Sequence, residues 1–114
     1  MAALVSIVPV AAGAASAGAA VSASDTIDQA TLGARGVYLE ILNGGGSSDT
    51  VTISDFGSTD SGNPLTSNTY TVTVANGTNK VIFIKPYGYN PATGLITVAH
   101  SFTTSVTYKL YPVQ

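Results

Sequence analysis

At 114 residues the chain can build one hydrophobic core and no more. Only 9% of its residues are charged while 45% are hydrophobic, against roughly a quarter charged in an ordinary globular domain. The net charge of -2 is scattered over single residues, which leaves no basic cluster to neutralise nucleic-acid phosphates, and the absence of cysteine excludes disulfides, thiolate metal sites and cysteine nucleophiles.

The first 23 residues, MAALVSIVPVAAGAASAGAAVSA, read as an apolar N-terminal arm. No Lys or Arg follows Met1, and Pro9 interrupts the apolar run, so a signal peptide is not expected. A membrane span is not expected either, because the stretch reaches spanning length only by counting Ala, Gly and Ser. Leu4 to Val8 has the composition of a strand. Residues 11–23 are low-complexity Ala, Gly and Ser, in which Gly13 and Gly18 weigh against a helix.

Residues 24–114 read as one β domain, in which short β-branched or aromatic runs alternate with turn clusters. A weak strand is expected near Thr26-Ile27. Val37, Leu39 and Ile41 then face one way while Tyr38, Glu40 and Leu42 face the other. The Asn43-Gly44-Gly45-Gly46 turn leads into Thr50 to Ser54, and the two runs are expected to form a hairpin. Phe56 to Asn68 is polar and broken by Pro64, which predicts a surface loop. Tyr70, Val72 and Val74 alternate with threonines up to Asn76-Gly77, and Val81 to Ile84 follows as the partner of a second expected hairpin. Leu95 to Phe102 and Val106 to Tyr111 are expected to form a third. The sum is an all-β fold, an antiparallel β-sandwich of seven or eight strands with an extended N-terminal arm, with a small β-barrel as the alternative.

No catalytic constellation emerges, and an enzyme is not expected. His100 is the single histidine and shares a strand face with Ile96, Val98 and Phe102, which suits a half-buried or interface residue. Asp49, Asp55 and Asp60 border two loops without the spacing of a calcium site, so no metal or cofactor is expected. Gly44 to Gly46 lacks the Lys-Ser or Lys-Thr and the helix of a phosphate cradle. Asn76-Gly77-Thr78 matches a glycosylation acceptor, but a tight turn already accounts for it. Two sets of residues are candidates for contact with a partner. Leu4, Val5, Ile7 and Val8 could add a strand to a sheet edge, on another chain or on this one. Tyr87 and Tyr89 flank a glycine in a loop and could stack on a glycan or anchor a protein interface.

The order of these segments carries a resemblance. An Ala- and Gly-rich apolar start, then RGVYLEILNGGGSSDTVTI from Arg35 to Ile53, PATGLITV from Pro91 to Val98 and TSVTYKLYPV from Thr104 to Val113, is similar to small β-sandwich virion proteins of tailed phages infecting actinobacteria. The resemblance spans nearly the whole chain. It implies a minor capsid or decoration protein on the capsid exterior, bound in many copies to the major capsid protein, with a trimer at local threefold axes suited to that place. A carbohydrate- or cell-surface-binding module and a head–tail or tail structural protein are the alternatives.

Overall fold

The computed structural model describes residues 2–8, 18–55 and 68–113. Among them lie nine strands: β1 (Ala2–Ala3), β2 (Ala19–Ala20), β3 (Ser24–Asp28), β4 (Val37–Asn43), β5 (Asp49–Asp55), β6 (Asn68–Val74), β7 (Asn79–Ile84), β8 (Leu95–His100) and β9 (Val106–Pro112). A single helical turn, α1 (Gln29–Leu32), follows β3 and is capped by the Asp28 side chain, which accepts from the Thr31 amide at 2.7 Å. That bond holds the Asp28 carboxyl below the usual carboxylate range.

The strands form two sheets, ordered β1-β3-β8-β5-β6 and β2-β9-β4-β7. All neighbours are antiparallel except β1, which lies parallel on the edge of β3. The two sheets pack as a sandwich, and neither closes into the barrel that the sequence left open. Strand alternation explains why: inward residues of both sheets are Ile, Leu and Val, including the fully buried Ile27, Leu39, Ile41, Ile53, Ile96 and Leu110. Each such side chain contributes roughly 1.5–3 kcal/mol by leaving water, and its branching suits a pleated surface.

The pairing overturns all three expected hairpins. β4 and β5 lie in opposite sheets, as do β6 and β7, and β8 and β9. Period-two alternation tells which residues face the core, and it reads the same whether the next strand lies alongside or across the core. The observed pairs are β2 with β9, β3 with β8, β4 with β7 and β5 with β6. These are the pairs of one long antiparallel hairpin rolled up on itself, the topology of a jelly roll. The predicted surface loop after Phe56 is the connection between β5 and β6, and residues 56–67, with Asp60, lie outside the described residues.

Leu4 to Val8 does not form the strand expected of it. The segment passes from one sheet to the other: the Leu4 amide donates to Thr26 O at 2.8 Å, and the Ile7 amide donates to Leu110 O at 2.6 Å. Between them the Val5 amide donates to the Tyr108 hydroxyl at 3.1 Å. The segment closes one open side of the sandwich, and Leu4 is buried in the core. Residues 11–17 of the low-complexity stretch lie outside the described residues; Ala19 and Ala20 pair with β9. Deleting residues 1–8 is expected to cost about 2 kcal/mol, from the lost burial of one leucine and the reopening of two strand edges. Urea denaturation of the truncated chain measures it, and an unchanged midpoint would refute the bracing role.

At one end of the sandwich the connections lock together around Asn43. Its main-chain amide donates to Thr78 O at 2.9 Å and its carbonyl accepts from the Gly77 amide at 2.8 Å. Its side-chain Nδ2 donates to Ser47 O at 2.8 Å and Val74 O at 3.0 Å, while Oδ1 accepts from the Gly45 amide at 3.0 Å. Gly45 itself admits no side chain, because a Cβ there would overlap Thr104 O and the Phe102 ring.

Candidate interaction surface

The outer faces of the two sheets differ in chemistry. On the β5–β6 side, Thr50 pairs with Thr73, Thr52 with Thr71 and Ser54 with Thr69, so that face is covered by short hydroxyl side chains. The outer face of the second sheet is apolar and aromatic. Cross-strand register sets Phe83 of β7, Tyr38 of β4 and Tyr111 of β9 in one row, and Val81, Glu40 and Lys109 in the next. Val81 is 60% exposed, Phe83 53% and Tyr38 43%. The Tyr38 and Phe83 rings meet at 5.9 Å between centroids, tilted by 55°, which fixes them as one surface.

Two backbone features hold this face in place. β7 is the edge of its sheet, so Val81 and Phe83 are flanked by another strand on one side only. At the start of β4, Gly36 has φ +84 and lies so close to β7 that any Cβ would overlap Ile84 O. The close approach sets Tyr38 beside Phe83. The sequence showed Tyr38 and Glu40 facing away from the core. It concealed Val81 and Phe83, because the run Val81-Ile82-Phe83-Ile84 is apolar on both faces and its alternation cannot be read.

The structure separates the residues expected to meet a partner. Leu4 belongs to the core, and Ile7 is half-buried against β9. Val5 and Val8 remain exposed. Tyr87 is 66% exposed, with Lys85 Nζ at 5.4 Å from its ring centre. Tyr89 packs against the core, and its hydroxyl accepts from Gln29 Nε2 at 3.2 Å. The two tyrosines therefore offer one exposed ring rather than a paired stacking platform. Lys85 also bridges the sheets through Asp55, at 2.8 Å.

His100 has a partner that sequence position could not supply. Its Nδ1 lies 2.6 Å from Asp49 Oδ2, and both side chains are buried. Carboxylate oxygens accept, which suits a hydrogen bond donated from Nδ1 to Asp49. Asp49 Oδ1 accepts the amides of Ser101 at 3.1 Å and Phe102 at 3.3 Å. His100 Nε2 is buried and without a hydrogen-bond partner among the described residues. The pair joins β5 to β8 inside the sandwich, and through the Ser101 and Phe102 amides it locks the turn after β8. Asp25, also buried, is held by the Ser22 hydroxyl and, at 3.1 Å, by the Ser22 amide. No cluster of metal-ligating side chains occurs among the described residues, and no described helix is long and apolar enough to cross a membrane.

Tyr70 of β6 is half-buried beside Asp55. Burial, then the nearby carboxylate, pushes its phenol above the ordinary value of 10.0. The folded chain thus keeps this proton to higher pH than the unfolded chain does. The resulting stability is fully present below about pH 10 and is lost as pH rises through the raised value. Ultraviolet difference titration is expected to show a tyrosine phase above the ordinary value, and Tyr70→Phe should remove that phase. A titration unchanged by the substitution would contradict the assignment.

No family model, curated protein or solved structure matches this chain.

Proposed function

We propose that this protein is a structural component of a virion, a decoration or minor capsid protein attached to the exterior of the head through the lattice of major capsid protein. The observation that carries the reading is the exposed patch of Phe83, Tyr38 and Val81 on a body with few charges. Such a face on an isolated domain invites association, and a part repeated over a lattice gains attachment strength from many modest contacts. The jelly-roll topology is compatible with this role, since capsid proteins and lectins both use it, and it does not decide between them.

Quantitative mass spectrometry of purified virions from the phage that encodes the chain tests the proposal. A copy number comparable to that of the major capsid protein supports decoration. A number matching one ring at a vertex places the protein at the neck or tail instead, and absence from the particle overturns the reading. Phe83→Asp keeps the core intact and is expected to lower occupancy on the particle. It is a cleaner probe than arm deletion, which also weakens the fold.

Glycan binding is the second reading, favoured by the exposed Tyr87 ring beside Lys85. It predicts affinity for host cell-wall polysaccharide that Tyr87→Ala removes. A glycan array without binding counts against it.

A further inference from the structure

We infer that the outer face of the second sheet packs against the same face of a second copy of this chain, about a two-fold axis running along the seam between β4 and β9. The inference rests on the reading of the protein as a part of a multi-copy assembly, and it assigns this face to the contact between neighbouring copies, whose loss would lower occupancy on the particle, rather than to the contact with the major capsid protein.

The argument starts from what lies on either side of that seam. Tyr38 is in register with Tyr111, and Glu40 with Lys109. An axis along the seam turns the second copy so that each β4 lies over the partner's β9. Glu40 then faces the partner's Lys109, and Lys109 faces the partner's Glu40. Tyr38 lies over the partner's Tyr111. An axis one strand away, on β4 itself, would set Glu40 against Glu40, so the charges select the seam.

Within one copy the two charges are not spent on each other. The Glu40 carboxylate accepts from Asn79 Nδ2 at 2.8 Å, toward β7 and away from β9, and no ion pair joins Glu40 to Lys109 among the described residues. The face thus carries a self-complementary pair of unmatched charges beside an aromatic row. Aligned sheets cross at about 30°, which keeps the rows nearest the axis superposed. Phe83 and Val81, one strand outward, extend the apolar contact on the β7 side.

The footprint sets the strength. Three long strands, β9, β4 and β7, at about 4.8 Å spacing and up to seven residues at about 3.4 Å give roughly 14 by 24 Å per copy, small for a stable dimer. Affinity in the micromolar range or weaker is expected, which suits a contact made between copies already held near one another.

Sedimentation equilibrium of the full chain, from low micromolar to about 1 mM, tests the inference. A reversible monomer–dimer equilibrium is expected. Glu40→Lys and Lys109→Glu alone should each weaken it by about tenfold or more, because each sets like charges face to face. The two together should restore it, with thermal unfolding run alongside to show that every variant is folded. A chain that stays monomeric, a chain that forms trimers, or a double variant no tighter than the single ones overturns the two-fold pairing. None of these results alters the copy number in virions, which judges the decoration reading separately.

Discussion

Asp49→Ala is expected to destabilise the fold by roughly 3–5 kcal/mol, a large share of the whole stability of a domain this size. The substitution removes the acceptor of three donors at once: His100 Nδ1, the Ser101 amide and the Phe102 amide. All three belong to the passage out of β8, and the His100 ring and the Asp49 carboxylate are both buried. Asp49→Asn keeps an oxygen for the two amides and should cost less than the alanine change. Urea denaturation at neutral pH gives the comparison. Equal, small losses in both variants would show that the pair adds nothing to the lock.

Asn43→Ala is expected to cost about 3 kcal/mol, since three side-chain hydrogen bonds disappear and the buried ends of two connections lose their tie. The sharper comparison is Asn43→Asp. This change preserves shape but turns two donors into acceptors, directed at the carbonyls of Ser47 and Val74. It should be at least as damaging as alanine despite its similarity in size. Calorimetric melting of the two variants decides, and an aspartate variant near wild-type stability would remove Asn43 from its place as the joint of this end.

These two residues show where the sequence could be read and where it could not. The all-β sandwich was legible because inward positions of β4, β5, β8 and β9 alternate strictly, as in Val37, Leu39 and Ile41. Which strand lies beside which was not, because Asn76-Gly77 turns the chain across the core as readily as along a sheet. Asp49 looked like a loop carboxylate from its place after Gly-Gly-Gly-Ser-Ser, and only the β5–β8 pairing brings it to His100. The arm was legible as apolar, while its division into a core residue, Leu4, and exposed ones, Val5 and Val8, depends on its crossing from β3 to β9. The aromatic row was half legible: Tyr38 declared its outward direction, and Phe83 did not.

The place of β9 in its sheet bears on how the chain comes to be made. β9 follows the other eight described strands in the chain, yet it lies between β2 and β4, which are made well before it. Until it leaves the ribosome, β2 has no neighbour and the β4–β7 pair lacks its inner flank. The inward apolar side chains of β4 and β7 must therefore wait, partly uncovered, for residues 106–112. Synthesis from the N-terminus thus delivers β9 after the strands it joins, and the second sheet closes in one step in which early and late segments of the chain meet.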